Sequence, residues 1–333
     1  MSATCTVIAE AGVNHNGSFD MAVRMIDTAK ASGADWVKFQ TFQADKLVTR
    51  NAPMAAYQKA AVADDSSYQM LKKLELPLEA FRDLAAHCKT VGIAFLSTPF
   101  DIESAEYLAR IGMTALKVPS GEITNLPLLR AFGNLGLPVI LSTGMATLGE
   151  VEAAVEALEK AGVAPSSMSI LHCTTEYPAP PEEVNLKAML TLRAAFPASA
   201  VGYSDHTQGI DISLAAVALG AVMIEKHFTL DRSLPGPDHK ASLEPDELKA
   251  LTDAVARVES ALGDGRKRPT ASELPNRVVA RKSIFAARDI GAGETLCEGD
   301  LAIRRPGNGK SPMLWDEVVG SVAARGYAAG DPI

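Results

Sequence analysis

With 333 residues, 22% of them charged and a net charge of −8 at pH 7, the chain is too acidic for an extended nucleic-acid surface, which leaves room only for local cationic pockets that take a small anion. The length exceeds one average domain and fits a large domain followed by a small one. No apolar run reaches the length of a membrane span, and the N-terminus enters a strand-like segment without a charged, apolar leader. Cys5, Cys88, Cys173 and Cys297 are scattered with no C-x-x-C spacing, so a reducing, cytoplasmic setting without a structural zinc site is expected.

Taken in order, eight short apolar runs each lead into polar residues and then into a helix-like segment: residues 6–9, 36–39, 93–96, 115–118, 139–141, 169–171, 200–202 and 222–224. Runs this short that end in turn residues read as buried strands. Amphipathic stretches lie between them, among them 19–31, 78–91, 148–161, 186–196 and 209–219, with glycines at the helix ends. Eight such alternations over about 250 residues predict a (β/α)8 TIM barrel. An open doubly wound sheet is the rival, but the first turn lacks its G-x-G-x-x-G fingerprint.

Residues 41–76 are long for the connection after the second strand; the alanine-rich piece 52–63, with Tyr57 and Gln58, reads either as a lid over the barrel mouth or as a surface excursion. Residues 244–262 read as the last barrel helix, which sets the barrel at 1–262 and a linker at 263–275. From 276 to 333 short runs such as 283–287 and 301–303 alternate with Gly-rich turns, predicting a small, mostly β tail domain. Its core is marginal alone, so docking on a barrel, its own or a partner's, is expected.

Barrel enzymes draw catalytic residues from the C-terminal strand ends. Here those ends concentrate polar residues: Glu10, Lys38 with Gln40, Ser97-Thr98, Lys117 with Ser120 and Glu122, Ser142-Thr143, His172, Ser204-Asp205-His206 and Glu225-Lys226-His227. The opposite ends offer mostly Gly, Ala and Pro. Lys117, inside the run 115–118, is costly to bury unless something anionic meets it. Two lysines with Ser and Thr hydroxyls on the next strands form a cradle for phosphate or carboxylate, the lysines giving point charge and the hydroxyls directed bonds. The plain alternative packs the lysines against strand-end glutamates.

His206 and His227 end the seventh and eighth strands, so their imidazoles converge on one metal. Two histidines are too few for a closed zinc cage. With water, substrate oxygens and a carboxylate they suit octahedral Mn²⁺ or Mg²⁺. His15, in Asn14-His15-Asn16-Gly17, is expected to order its turn and His87 to be structural, while His172 has no evident partner. Asp238, in the rigid loop 235–240, either accepts hydrogen bonds from a polyhydroxy substrate or caps the helix that follows.

Together these residues resemble the sialic acid synthase family, which makes nine-carbon nonulosonic acids. The matching stretches are IAEAGVNHNG (8–17), VKFQTF (37–42), FLSTPF (95–100), KVPSGE (117–122), LSTGM (141–145), LHCTTEYPAP (171–180), GYSDHT (202–207), EKHFT (225–229), GPD (236–238) and RRPGNG (304–309). They run in order over nearly the whole chain, and the tail is similar to that family's antifreeze-protein-like (SAF) domain.

The resemblance implies condensation of phosphoenolpyruvate with the open-chain aldehyde of an N-acylated amino sugar. It implies Lys38, Gln40, Thr98, Lys117, Ser120 and Ser142 around phosphoenolpyruvate and His206 and His227 as metal ligands. Glu10, Glu122, Tyr177, Ser204 and Asp238 fall around the metal and the sugar, with Glu10 or Glu122 positioning the attacking water. Arg305 matches an arginine that reaches a neighbouring subunit's site, which implies a domain-swapped homodimer. N-acetylmannosamine is the leading acceptor, giving N-acetylneuraminate. The 6-deoxy analogue 2,4-diacetamido-2,4,6-trideoxymannose stays open, because the segment Lys38-Phe39-Gln40-Thr41-Phe42 lacks the histidine of the KHQTH subgroup. A metal-dependent pyruvate aldolase, which fits the two histidines but needs no phosphate cradle, and a non-catalytic sugar binder, which has no use for a metal pair beside an anion pocket, are the rivals.

Overall fold

Each apolar run becomes a strand, and most strands run further than their apolar part. In the computed structural model, which describes residues 5–62, 64 and 66–333, the strands are β1 (Thr6–Gly12), β2 (Trp36–Thr41), β3 (Ala94–Pro99), β4 (Leu116–Val118), β5 (Val139–Ser142), β6 (Met168–Cys173), β7 (Ala200–Asp205) and β8 (Met223–His227). Residues expected just beyond the strands, such as Glu10, Gln40 and Glu225, therefore belong to them. Backbone pairing continues for as long as a neighbour is present, and polar side chains do not interrupt it.

All eight strands are parallel, in the order β3-β2-β1-β8-β7-β6-β5-β4, and helices fill the crossovers. Among the described residues no backbone ladder joins β3 to β4, so the ring carries one seam. Alternation along each strand sends one set of side chains inward and the next against the helices. Ile8, Leu96 and Leu171, each two residues before a mouth residue, are fully buried. Gly202 makes room for this packing: a Cβ there would lie 2.6 Å from Leu171 Cδ2 and 2.5 Å from the Met223 carbonyl oxygen.

The helices around the ring include α1 (Phe19–Ala31), started by Ser18, whose hydroxyl accepts from the Met21 N–H. Between β2 and its outer helix stand three short ones, α2 (Ala44–Leu47), α3 (Ala56–Ala61) and α4 (Ser67–Leu74), which pack over a small core of Val13, Phe42, Met54, Met70 and Leu74. Of the 41–76 insertion, Ala63 and Asp65 lie outside the described residues. After α5 (Leu78–Val91) come α6 (Ile102–Arg110), α7 (Leu126–Asn134), α8 (Leu148–Lys160), α9 (Ala188–Ala195), α10 (Asp211–Ala218) and α11 (Pro245–Leu262). Thr147 and Glu150 close a capping box on α8, a device worth about 1 kcal/mol. Among the described residues no helix is long and apolar enough to cross a membrane.

The chain divides into two compact units, Met1–Gly263 and Asp264–Ile333. In the second, α12 (Glu273–Ala280) spans the residue at which the composition changes, and β9 (Ser283–Ala286) pairs antiparallel with β10 (Leu301–Arg304). Its core is its own: Ile284, Ala286, Ile290, Leu296, Leu301, Val318, Ala323 and Ile333. Arg288 donates to the Asp300 carboxylate at 2.8 Å and ties the two ends of a loop.

Candidate active site

The strand register determines what meets at the mouth. Glu10 lies beside Lys38 on one side and His227 on the other; Gln40 pairs with Thr98, and Ser204 with both Cys173 and Glu225. The inward side chains enclose a cavity of about 350 Å³. Glu10, Lys38, Gln40, Thr98, Lys117, Ser120, Ser142, Tyr177, Ser204, His206, His227 and Asp238 all line it. One wall comes from the insertion after β2, including Tyr57 and Leu71, so that segment is part of the cavity and not a surface excursion.

At the centre, two lysines and two glutamates share a buried network. Lys38 Nζ stands 2.9 Å from Glu10 Oε2 and 3.5 Å from Glu225 Oε1, and donates to Thr98 Oγ1 at 2.9 Å. Lys117 Nζ donates to Ser142 Oγ at 2.7 Å and stands 3.5 Å from the same Glu225 oxygen. Ser204 donates to Glu225 and Gln40 to Glu10. The two carboxylates differ in kind. Burial, aided by the charge of Glu225, pushes the Glu10 carboxyl up to about 7 despite Lys38. Burial also opposes ionisation of Glu225, but Lys117 and Lys38 together outweigh it and hold that carboxyl below its ordinary value. A pair of carboxyls pushed apart in this way provides one group that exchanges a proton near neutrality and one that stays charged. Burial lowers Lys117, since it gains less from carboxylates than Lys38 does.

The imidazoles occupy the next sector. His206 and His227 have ring centroids 5.5 Å apart, and the Tyr177 ring packs against both, at 4.1 Å and 5.5 Å. His206 Nδ1 lies 2.7 Å from the Thr174 carbonyl oxygen. A carbonyl only accepts, so Nδ1 carries the proton and Nε2 keeps its lone pair. His227 Nδ1 is buried with no hydrogen-bond partner, and Asp238 Oδ2 is 3.7 Å from it. Among the described residues no group of three or more His, Cys, Asp or Glu is arranged as a metal cage. The donor set therefore fits a hard divalent ion held by two imidazoles, with oxygens of small molecules completing its sphere; it does not fit a closed protein cage.

Two expected site residues stand apart. Glu122 is half-buried in the turn after β4, where its carboxylate accepts from Asn125 Nδ2 at 2.6 Å, and it is not part of the cavity wall. Asn125 in turn caps α7, so the Glu122 side chain is held at a helix start. Arg305 is an exposed residue of the second unit, just after β10.

Other polar strand-end residues prove to be structural. Asp205 and Lys226 alternate out of the mouth and form a buried pair at 2.9 Å beneath α10, with Ser213, Thr207 and Tyr203 also donating to Asp205. Asp205→Ala leaves Lys226 buried without its counter-ion, and a loss of about 3–5 kcal/mol is expected in urea unfolding; a change below about 1 kcal/mol would contradict this account. His172 likewise points outward, stacks on Tyr203 and donates from Nε2 to the Val184 carbonyl. His15 is buried, accepts from Gly17 N–H and is held neutral by burial, which pushes it down to about 4.

Sequence reasoning named Glu225 among the strand-end residues but gave it no role, although it stands two residues before His227 and so shares its face. It also missed Gly144, whose N–H donates to Ser120 Oγ at 2.9 Å, and Thr175, whose buried Oγ1 has no partner.

Fold and site define a barrel whose mouth sets two buried lysines beside a pair of imidazoles. The chain belongs to the NeuB family, which matches residues 25–267, and the SAF domain matches residues 281–333. It is 53% identical over 322 residues to the N,N'-diacetyllegionaminic acid synthase of Campylobacter jejuni, covering 96% of each chain. It is 46% identical over 332 residues to the synthase of the same name from Legionella pneumophila, covering 99% of this chain and 93% of that one. Among solved structures, the N-acetylneuraminic acid (sialic acid) synthetase of Leptospira borgpetersenii superposes with a TM-score of 0.73 at 38% identity, over 82% of this chain and 90% of that one. The protein is an enzyme of the synthase type.

Proposed function

We propose that the enzyme condenses phosphoenolpyruvate with the open-chain aldehyde of 2,4-diacetamido-2,4,6-trideoxymannose, giving N,N'-diacetyllegionaminic acid and phosphate. The observation that carries the reaction class is the pair of buried lysines, each with its own hydroxyl partner, facing one cavity beside two imidazoles. The acceptor follows the two relatives named above, which favour it over the N-acetylmannosamine that leads in the sequence reading.

In this reading Lys38 with Thr98, and Lys117 with Ser142, grip the phosphate and carboxylate, which aligns C3 of phosphoenolpyruvate with the aldehyde carbon. C3 attacks that carbon, and positive charge appears at C2. Glu225, held ionised, faces that charge. Water adds at C2, the C2–O bond breaks, and phosphate leaves with the bridging oxygen. Glu10, poised near neutrality, takes one proton of the attacking water and returns it to the departing phosphate. The second proton passes to the alkoxide left at the former aldehyde carbon as the C2 carbonyl forms. His206 and His227 would hold Mn²⁺ or Mg²⁺, which when bound supplies Lewis-acid polarisation of the aldehyde oxygen. Tyr177, Ser204 and Asp238 shape the acceptor side. By the resemblance, Arg305 completes the site of a neighbouring copy in a domain-swapped homodimer of the cytoplasm.

The test is phosphate release from phosphoenolpyruvate with either acceptor, before and after stripping the enzyme with a chelator. Higher kcat/KM with the diacetamido sugar, lost on stripping and regained with Mn²⁺, is expected. Release with neither sugar would sink the reaction, and full activity after stripping would sink the metal assignment.

A further inference from the structure

The cavity has two kinds of wall, and the chemistry above uses only the polar one at the strand ends. Facing it, the insertion after β2 presents Leu47, Val48, Met70, Leu71 and Leu74, joined by Phe100. Met70 and Leu74 are buried in the insertion's own core, so packing alone accounts for them. Leu47, Val48 and Leu71 are only half-buried and still line the cavity. Apolar surface left partly bare inside a pocket is surface that a ligand can cover.

The aromatic groups set the direction in which a ligand would run. Tyr57, on α3, has its ring 5.0 Å from that of Tyr177, which packs against His206 at 4.1 Å. A sugar chain whose reacting carbon sits at the imidazoles therefore has its far end at the insertion. Among the described residues the insertion brings no charged side chain to the cavity, and its polar groups there are those of Tyr57, Gln58 and Ser67. Its Gln58 is already engaged through Oε1 with the Ala55 N–H at 3.0 Å. A hydroxyl pressed against Leu47, Val48 and Leu71 loses water without gaining a partner from them, whereas a methyl group covers apolar surface.

We infer that Leu47, Val48 and Leu71 are the residues that select the acceptor, by receiving its deoxygenated C6 methyl and C4 acetamido end and disfavouring a sugar with hydroxyls at both positions. The inference rests on the acceptor proposed above.

The test compares kcat/KM for phosphate release with the diacetamido sugar and with N-acetylmannosamine, in the wild type, Leu71→Asn, Leu47→Asn and the conservative Leu71→Met, with thermal unfolding of each. The ratio between the two sugars is expected to fall about tenfold to hundredfold in either Asn variant and to stay near the wild-type value in Leu71→Met. If Leu71→Asn fails to fold, Leu47→Asn, on a different helix, carries the test. A wild type that prefers the diacetamido sugar, with a ratio that neither Asn variant moves, would overturn the inference alone. A wild type that prefers N-acetylmannosamine would overturn the acceptor assignment and the inference with it.

Discussion

Lys117→Met is expected to lower kcat/KM for phosphate release by about 10²–10³-fold while the protein still folds. Lys117 is almost fully buried, and its charge is directed at one place, between Ser142 Oγ and Glu225. Methionine fills similar volume and buries no charge, and Glu225 keeps Lys38 and Ser204 as partners. What is lost is a fixed cation facing the cavity, which water cannot replace. Steady-state phosphate assays beside a thermal melt decide the matter. A variant within tenfold of wild type would show that Lys117 only balances Glu225, as a packed strand-end pair would.

Gly144→Ala is expected to raise KM for phosphoenolpyruvate by about 10²-fold, with a smaller change in kcat. A Cβ at this position would lie 2.0 Å from Thr175 Oγ1 and 2.8 Å from Ser120 Oγ. Both side chains would have to leave the place where the Gly144 N–H and Ser120 Oγ meet. The backbone here suits alanine, so the effect is one of space alone. Relief is therefore expected from shortening the neighbour: Gly144→Ala with Thr175→Ala should bind phosphoenolpyruvate more tightly than Gly144→Ala. A double-mutant cycle in KM without that recovery would rule out the steric account.

Much of this site is legible in the amino-acid sequence. Eight apolar runs ending in polar residues locate the mouth, and eleven of the residues singled out there line one cavity. What cannot be read is parity. Strands of a parallel barrel are buried on both faces, so apolar content does not say which face is inward. Asp205 and Lys226 look as catalytic in the sequence as Ser204 and Glu225, yet one step along the strand moves them under α10. His227 carries the missing signal, because a ligand-type residue fixes the inward face for the residue two positions earlier. Glu122 stands apart for a different reason. It follows a strand end in a turn, where alternation no longer holds and a neighbouring Asn takes up its carboxylate. The insertion is legible as long but not as a wall, since its role depends on contacts with Val13 and Phe100, far away in sequence.

The seam between β3 and β4 gives the site a second significance. Lys38 and Thr98 belong to β2 and β3 on one flank, and Lys117 and Ser142 to β4 and β5 on the other. Between these flanks the ring has no backbone rungs of its own. An anion gripped by both lysines would add a tie across this seam, beside the one that Glu225 Oε1 already makes at 3.5 Å from each lysine. Alignment of the substrate and reinforcement of the seam would then be achieved in one event.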